Sequence, residues 1–376
     1  MAVQRSQGIY LDWNATTPPH PAVLEAMREA GAWAWANPAS VHTRGRQARA
    51  AVEELREALG EALGVSSRDV VLTSGGTEAN NLGLRRASAL VTSRLEHPSV
   101  VRVAESLEAA GREVRWLPVS PSGRLEPDAV REACQGLPKA AWVAIQAANH
   151  ETGVIQPIAE LAEVVHDAGL RLHVDAVQAF GKVDSGALRL ADAIAVASHK
   201  IRGPKGIGAL AFRGPAPPPL LVGGSQERGL RPGTVDAVAA AGFHAALRLA
   251  RTGPSRWARL GALRDEFERA FVTHATPNAS EPRLPHVSSL SFTGVNGDEL
   301  VAALDLLGVQ VSSGSACAAG TAEPSPVILA MLGRERARSA VRVSLGEDTS
   351  AEELREAKGL FFRALGAAEP EGSRSA

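Results

Sequence analysis

The chain has 376 residues, of which 45% are hydrophobic, and a formal net charge of −1. These totals are typical of a soluble globular protein with two domains, and the balanced charge argues against a nucleic-acid-binding surface. The N-terminal stretch MAVQRSQGIYLDWN has no apolar core of a signal peptide, and no apolar run reaches transmembrane length. The two cysteines, Cys134 and Cys317, are too few for a disulfide scaffold or a cysteine-based metal site. We therefore expect a cytoplasmic protein without a metal or a membrane partner.

Short apolar runs alternate with longer helical patterns between residues 20 and 250, which predicts an α/β fold with a mainly parallel sheet. A helix is predicted over 46–64, where Val52, Leu55 and Leu59 recur at helical spacing. The predicted strands of this part are 69-DVVLTS, 142-WVAIQA, 170-LRLHV and 192-DAIAVAS. The proline-rich stretch 211-AFRGPAPPPLLVGG is predicted to be a surface excursion outside any strand or helix.

The pattern changes after a predicted helix at 236–250. From residue 253 onward it predicts a smaller α+β unit, with strands at 287–295 and 341–345 and a final helix at 351–366. We therefore expect a large domain over residues 15–252. The predicted small domain consists of residues 253–376 together with the N-terminal segment 1–14.

Polar residues gather where the predicted strands end, which is where ligands bind in open parallel sheets. The first strand is followed by 75-GGTEANN, whose glycines and helix start could hold a phosphate. Taken alone, this stretch favours a simple glycine turn with Thr77 as an N-cap over a phosphate site. Asn149 follows the next predicted strand, and Asp175 and Gln178 follow the third, although a strand-end acid often only caps a helix.

The fourth strand runs into His199 and Lys200, which places a lysine beside an apolar strand end. Partial burial lowers the pKa of a lysine, and a neutral amine can form a Schiff base. A phosphate cradle, an amide, an acid and such a lysine at one sheet edge are the groups that pyridoxal phosphate requires. The stretch 206-GIGALA matches a dinucleotide-binding pattern, but it neither follows a strand nor leads into a helix, so we reject that interpretation.

The chain resembles the group I cysteine desulfurases, which belong to the class V aminotransferase branch of fold-type I pyridoxal-phosphate enzymes. The resemblance rests on blocks that run in the family's order from about residue 9 to 350. The blocks are 10-YLDWNATTPPHPAV, 37-NPASVHTRG, 72-LTSGGTEANN, 96-EHPSV, 149-NHETGVIQPI, 173-HVDAVQAFGK, 198-SHKIRGPKGIGAL, 223-GGSQERGLRPGT, 312-SSGSACAAG with 323-EPS, and 341-VRVSLG.

The resemblance implies a role for each matching residue. Lys200 would hold the cofactor covalently, and His97 would stack on its ring and assist proton transfers. Asp175 would pair with the pyridine nitrogen and Gln178 with the ring oxygen. Contacts with the cofactor phosphate are implied for Gly76, Thr77, Ser198, His199 and, from the other subunit of a homodimer, Thr234. Arg342 and Asn149 would bind the substrate α-carboxylate, and Asn149 would also contact the cofactor.

The chain departs from the family pattern at four places. Ala197 stands where relatives commonly have a hydroxyl, which leaves open whether Ser198 replaces that phosphate contact. Residue 150 is His and residue 232 is Pro. The opening block reads Trp13-Asn14-Ala15 where Asn-Ala-Ala is usual.

Cys317 lies among small residues in 311-VSSGSACAAG, a sequence typical of a mobile loop. The resemblance implies that its thiolate takes the sulfur of L-cysteine as a persulfide and that L-alanine is released. Thiolate chemistry requires a positively charged surrounding. Cys134, in 127-PDAVREACQGL, shares a predicted helix face with Val130 and Leu137 and is expected to be a core residue.

Three alternatives stay open at this point. The first is a lyase that acts on selenocysteine, and the second is a transaminase or epimerase of the same class in which Cys317 is idle. The third is a non-catalytic scaffold in iron–sulfur assembly. The sequence also leaves open the sulfur acceptor, which could be an iron–sulfur scaffold, a tRNA-thiolation protein or a carrier in cofactor biosynthesis.

Overall fold

The computed structural model describes residues 8–314 and 324–368. The strands are β1 (Ile9–Tyr10), β2 (Val70–Thr73), β3 (Ala89–Ser93), β4 (Glu113–Leu117), β5 (Trp142–Gln146), β6 (Arg171–Asp175), β7 (Ala193–Ala197), β8 (Gly208–Phe212), β9 (Ala275–Pro277), β10 (Val287–Phe292), β11 (Val309–Gln310) and β12 (Ala340–Ser344). The helices are α1 (Pro21–Trp33), α2 (Thr43–Leu63), α3 (Gly76–Leu84), α4 (Pro98–Ala109), α5 (Pro127–Cys134), α6 (Ile158–Asp167), α7 (Ala237–Ala250), α8 (Gly253–Ala258), α9 (Leu260–Ala270), α10 (Gly297–Leu306), α11 (Pro326–Leu332), α12 (Arg334–Arg338) and α13 (Ala351–Ala364). None of the helices in the described ranges is long and apolar enough to span a bilayer.

A sheet of seven strands forms the centre of the larger part of the chain, in the order β2-β8-β7-β6-β5-β3-β4. The strands β4, β3, β5, β6 and β7 are mutually parallel, whereas β8 pairs antiparallel with both β2 and β7. The predicted α/β fold with a mainly parallel sheet is therefore confirmed. Four of the strands that the apolar runs predict are β2, β5, β6 and β7, and all their residues but Trp142 and Arg171 are buried.

Three strands of this sheet were not predicted. The edge strand β4 reads EVRWL, with charged residues at its first and third positions and only Leu117 buried, so no apolar run marks it. The strand β8 reads GALAF, and its small residues follow a glycine-rich loop. The prediction that 211–224 lies outside any strand was thus wrong for Ala211 and Phe212. Part of the rejected 206-GIGALA pattern also belongs to β8, but no helix follows directly after it.

The predicted helix over 46–64 corresponds to α2 except for Gly64, and α2 packs against α7 and against β2 and β8 of the sheet. Val52, Leu55 and Leu59 lie on its buried face, as their spacing indicates. The helix starts where the His42 side chain accepts a hydrogen bond from the Gly45 N–H, and it ends at Gly64, whose positive φ of 69° suits a left-handed C-cap.

A second apolar cluster lies outside the large sheet. The antiparallel sheet β12-β10-β9 and the parallel pair β1-β11 contribute to it, together with α8, α9, α10 and α13. Ile9, Leu11 and Trp13 from the start of the chain pack into this cluster, and the Trp13 ring meets the Trp257 ring at 6.2 Å. The N-terminal segment therefore packs with residues from the C-terminal third of the sequence.

Candidate active site

A cavity of about 240 Å³ opens at the carboxyl ends of β5, β6 and β7, where α/β sheets bind their ligands. We call it the site cavity. Most of the residues predicted from the sequence line it: Gly76, Thr77, His97, Asp175, Gln178, His199, Lys200 and Arg342. Other lining residues were not predicted: Asn14, Ala15, Asn80, Ser99, Gln146, Ala148, His150, Val177 and Ala197.

Asp175 is the last residue of β6, and two hydrogen bonds fix its carboxylate. The Val177 N–H donates to Oδ1 at 3.0 Å, and the Asn80 side chain donates to Oδ2 at 2.7 Å. Asn80 lies one helical turn after Gly76 on α3, so the glycine motif that predicted a phosphate site also carries this residue. The acid that the sequence singled out is therefore held in a set orientation by a partner that the sequence did not single out.

The Asn80 amide is oriented in turn by His173, which is fully buried on β6. Burial lowers the pKa of His173 to about 3, so the imidazole is neutral. Its Nε2 lies 2.9 Å from Asn80 Oδ1, and this oxygen accepts the ring N–H. The Asn80 NH₂ group must then point the other way, toward Asp175 and the Ser99 Oγ at 2.9 Å.

His97 is the N-cap of α4, and its Nδ1 accepts the backbone N–H of Ser99 at 3.1 Å. The same nitrogen lies 2.8 Å from Ser99 Oγ. A backbone N–H can only donate, so the neutral ring carries its proton on Nε2. Burial, followed by the charge of His150, lowers the pKa of His97 to about 4. His97 is therefore a neutral ring at physiological pH.

Lys200 lies in a single 3₁₀ turn that follows β7. Its Nζ donates to the backbone oxygens of Asn14 at 2.5 Å and Ala15 at 2.9 Å, inside the site cavity. The neighbouring His199 has its Nδ1 3.1 Å from Thr16 Oγ1. Burial and the charge of Lys200 lower the pKa of His199 to about 4, so this ring is also neutral.

The two other lysines near this turn do not line the site cavity. Lys205 is exposed on the loop, whereas Lys182 is fully buried. Burial, followed by the charge of Lys200, holds the pKa of Lys182 well below its usual value. Its Nζ donates to Gln178 Oε1 at 3.1 Å, and Gln178 Nε2 donates to the Asn14 oxygen at 3.0 Å. Lys182 thereby fixes which end of the Gln178 amide is the donor.

The start of α3 forms one wall of the site cavity. Gly75 is the N-cap and makes no side-chain capping bond, and Thr77 lies exposed in the first turn. The first backbone N–H groups of a helix have no partner within the helix. A Cβ at Gly76 would lie 2.6 Å from Val177 Cγ2, so only glycine fits there without displacement of Val177.

Three predicted cofactor contacts lie away from the site cavity. Asn149 uses its side chain within its own turn and toward Leu95, with Nδ2 on the Leu95 oxygen at 3.0 Å and Oδ1 accepting two backbone N–H groups. His150, which follows Asn149 in this loop, lines the site cavity.

Ser198 and Thr234 are the other two. Ser198 is fully buried and its Oγ lies against Gly203, whereas its neighbours Ala197 and His199 line the site cavity. Thr234 is exposed and lines a separate groove next to Arg56 and Glu227.

Arg342 reaches the site cavity from β12. Its Nη2 pairs with Asp12 Oδ1 at 2.5 Å, and its Nη1 donates to the His150 backbone oxygen at 2.9 Å. Its Nε is buried and has no hydrogen-bond partner among the described residues. A buried donor without a partner is costly, which indicates a site for an anionic group of a ligand.

Cys317 lies outside the described residues, but the residues on either side of its segment are described. Ser325 donates a hydrogen bond to Glu151 Oε2, and a Cβ at Gly314 would lie 3.5 Å from the same oxygen. Both flanks therefore meet at Glu151, next to the His150 that lines the site cavity. Cys134 is buried in α5, and burial raises the pKa of its thiol, as expected for a core cysteine.

A family model described as aminotransferase class-V matches residues 9–356. The chain belongs to the class-V aminotransferase family. An IscS-like cysteine desulfurase of Mycobacterium tuberculosis is 40% identical over 363 residues, which cover 90% of this chain and 91% of that relative. A solved NifS-like protein has a TM-score of 0.87 at 30% identity, over 96% of this chain and 99% of that one. A structure titled SspA in complex with cysteine has a TM-score of 0.77 at 30% identity, over 89% and 98%.

These findings confirm the resemblance to cysteine desulfurases of the class-V aminotransferase family, whose cofactor is pyridoxal 5'-phosphate. The described residues fit this cofactor. The site cavity combines a fixed carboxylate at Asp175, an amine at Lys200, and a helix start at Gly76 where a Cβ would intrude. The orphaned Nε of Arg342 adds a cationic donor. These are the groups that a pyridine nitrogen, an aldehyde, a phosphate and an amino-acid carboxylate require.

Proposed function

We propose that this protein is a cysteine desulfurase that converts L-cysteine to L-alanine and holds the removed sulfur as a persulfide on Cys317. The observation that carries the proposal is the position of Lys200, whose amine lies in the same cavity as the anchored carboxylate of Asp175. The printed names of the relatives support the same activity. None of the described residues favours selenocysteine over cysteine as the substrate. None favours an enzyme in which Cys317 takes no part in the reaction.

The proposed cofactor contacts follow the geometry. Lys200 would hold pyridoxal phosphate covalently, Asp175 would face its pyridine nitrogen, and Gln178 would donate from Nε2 to its ring oxygen. His97 would stack on the ring. When bound, the cofactor stabilises negative charge that develops on the amino acid. The phosphate would lie at the start of α3, against the backbone of Gly76, with these further contacts: Thr77, His199 and, from a second copy of the chain, Thr234.

Arg342 would bind the substrate carboxylate. Its Nη1 and Nη2 already bond to His150 and Asp12, so its orientation is set before substrate binds. The orphaned Nε supplies a charge-assisted hydrogen bond, which is shorter and stronger than one between neutral groups. Asn149, which the resemblance implies as a second carboxylate contact, lies next to His150 in this part of the chain.

Cys317 would take up the sulfur. Its segment connects Gly314 and Ser325, which both lie at Glu151 beside the site cavity. We further propose a cytoplasmic homodimer that passes the sulfur to an iron–sulfur scaffold or a thiolation protein. The exposed position of Thr234 supports the homodimer, because that residue is remote from the cavity of its own chain.

The test combines product analysis with a lysine control. Purified protein with pyridoxal phosphate should release alanine from L-cysteine, and no keto acid should accumulate. Lys200→Ala should lose the visible absorbance of the bound cofactor, whereas Lys205→Ala, on the exposed loop two residues after Gly203, should keep it. Absorbance that survives Lys200→Ala, or keto acid in place of alanine, would refute the proposal.

A further inference from the structure

An unusual backbone conformation follows Lys200 by two residues. Arg202 has a φ of 66°, in the left-handed region that residues other than glycine seldom adopt. Two hydrogen bonds hold this conformation: the Arg202 N–H donates to Thr17 Oγ1 at 2.8 Å, and the His20 N–H donates to the Arg202 oxygen at 2.9 Å. Strain of this kind persists only where the surroundings enforce it, and it is concentrated at functional sites.

The side chain of Arg202 crosses to the loop that follows β12. Arg202 is 7% exposed, and its Nη1 and Nη2 bind the two carboxylate oxygens of Asp348 at 2.9 and 2.5 Å. Its Nη1 also lies 3.6 Å from Glu347 Oε2. A guanidinium and a carboxylate that share two hydrogen bonds fix each other's orientation as well as their distance. Because β12 carries Arg342, this pair connects the turn of Lys200 to the strand of the proposed carboxylate-binding residue.

Trp13 contacts both of these parts of the chain. The Arg202 guanidinium lies over the Trp13 ring, 5.3 Å from its centroid, which is within the range of a cation–π contact. A Cβ at Gly346, in the loop after β12, would overlap the same ring. Trp13 is one of the places where the chain departs from the family pattern, so this departure comes with a contact to the residue that follows the lysine turn.

Stability alone does not account for an arginine at this position. The Asp348 side chain is 61% exposed, and ion pairs with an exposed partner contribute little to stability. The positive φ lowers stability for any residue except glycine, which adopts it without strain. A glycine at position 202 would, however, lose the contacts to Asp348 and Trp13. The connection between the lysine turn and β12 is therefore what the arginine adds.

We propose that Arg202 is a positioning residue that sets the distance between the Lys200 amine and the Arg342 guanidinium in the site cavity. The inference rests on the proposed function and deepens it, because it concerns how the site fits a small α-amino acid. Such a substrate presents its amino group to the part of the cavity around Lys200 and its carboxylate to Arg342. A shift of either group therefore weakens binding. Arg202 does not line the cavity and acts through the two elements that it connects.

Arg202→Gly tests the proposal, because glycine keeps the backbone conformation and removes only the side-chain contacts. The full chain with pyridoxal phosphate is titrated with L-alanine, the product of the proposed reaction, and the change in visible absorbance gives the Kd. We expect this Kd to rise about tenfold or more, whereas the affinity for the cofactor and the Tm change little. Lys205→Gly is the matched control: it removes a positive charge from the same exposed loop and should leave the Kd for L-alanine unchanged.

Asp348→Ala separates positioning from a simple effect of charge. Loss of a negative charge near the site would by itself strengthen the binding of a carboxylate. Loss of the partner of Arg202 should instead weaken it, by about threefold, because Glu347 remains as a more distant partner. The double variant Arg202→Gly with Asp348→Ala should bind L-alanine no more weakly than Arg202→Gly alone. Unchanged binding in Arg202→Gly, an equal loss in Lys205→Gly, or tighter binding in Asp348→Ala would overturn the proposal.

Kinetics with L-cysteine supply a second arm. In Arg202→Gly the KM should rise with the Kd for L-alanine, whereas kcat should change less, because the lost contact acts on binding. A fall in kcat at unchanged KM would overturn the proposal. The L-alanine titration needs no turnover. A wild-type protein that releases no alanine from L-cysteine would therefore refute the proposed function, while the titration would still decide on Arg202.

Discussion

The carboxylate of Asp175 is fixed by a chain of donors that begins at a buried histidine. His173 sets the Asn80 amide, Asn80 donates to both Asp175 and Ser99, and Ser99 Oγ lies 2.8 Å from His97 Nδ1. Hydrogen bonds to charged acceptors are about twice as strong as neutral ones. Asn80 thus connects Asp175 to His97 through Ser99.

Asn80→Ala tests this connection. It leaves Asp175 Oδ2 and the His173 N–H without their partner, which should weaken pyridoxal phosphate binding by about tenfold to a hundredfold, as expected for a lost bond to a charged group. Titration of the apoprotein, followed by visible absorbance, measures the dissociation constant. Asn81→Ala is the matched control, because Asn81 only bonds to the Thr77 oxygen of its own helix. Equal effects of the two substitutions would contradict the assigned role of Asn80.

The site residues that could be predicted from the sequence are those that directly follow apolar strands, because the carboxyl ends of parallel strands meet at one edge of the sheet. Asp175 and Lys200 are of this kind. The sequence-based prediction named Asn149 and passed over His150, which lines the site cavity, because the difference depends on a turn in which Asn149 Oδ1 caps two N–H groups of its own loop. Asn80 was in the quoted glycine motif, but its three partners come from two other elements, α4 and β6.

Among the elements, α3 illustrates how a helix start depends on its neighbour. Gly76 approaches Val177, the second residue after β6, so closely that a Cβ would lie 2.6 Å from Val177 Cγ2. The close approach places the backbone N–H groups of the helix start at the mouth of the cavity, next to the end of the neighbouring strand. A phosphate bound there would benefit from the positive end of the helix.

Gly76→Ala should therefore weaken pyridoxal phosphate binding by tenfold or more, because either the helix start or Val177 must move. The double substitution Gly76→Ala with Val177→Ala removes the clashing methyl group and should recover most of the affinity. Both are measured in the same absorbance titration. If Val177→Ala alone weakens cofactor binding as much as Gly76→Ala does, and the double substitution recovers no affinity, the contact between the two residues is not the cause of the weaker binding.

The elements that could be predicted are those with a continuous apolar run or a regular apolar face, namely β2, β5, β6, β7 and α2. Burial alone does not mark a strand, because β3 and β8 are fully buried and were not predicted. The edge strand β4 alternates charged and apolar residues, and β8 consists mostly of small ones. Their strand conformation comes from pairing with β3 and β7, which a single stretch of sequence does not show.

Over the whole molecule, buried neutral histidines link stability to pH. Burial lowers the pKa of His173 to about 3 and that of His199 to about 4, below the ordinary 6.5. Between these lowered pKa values and pH 6.5, the unfolded chain binds more protons than the folded chain. The contribution of these histidines to the free energy of unfolding is therefore fully present above pH 6.5 and is lost as the pH falls. Glu96 has the opposite sign, because its raised pKa makes the folded state bind the extra proton.

His173→Gln isolates one of these contributions. The Gln side chain can still donate to Asn80 but has no proton to gain, so the slope of unfolding free energy between pH 5 and pH 6 should decrease by about 1.4 kcal/mol per pH unit. Urea unfolding of the apoprotein at several pH values measures the slope. An unchanged slope would mean that His173 is protonated in the folded chain.

We propose that the second apolar cluster is the core of the small domain expected from the sequence, residues 253–376 with 1–14, and that residues 15–252 form the large domain. Trp13 and Trp257 meet in the second cluster, which explains why the first residues of the chain group with the last third. Arg342 and Lys200 then reach the site cavity from different domains, so the site is complete only when the two are docked.

The most direct test of the central claim is the mass of the Cys317 peptide after the protein with pyridoxal phosphate has been incubated with L-cysteine. The account predicts that this peptide gains the mass of one sulfur atom while alanine is released. Cys317→Ala should show neither change, although its cofactor absorbance stays intact. Sulfur on the buried Cys134, or alanine release that persists in Cys317→Ala, would contradict it.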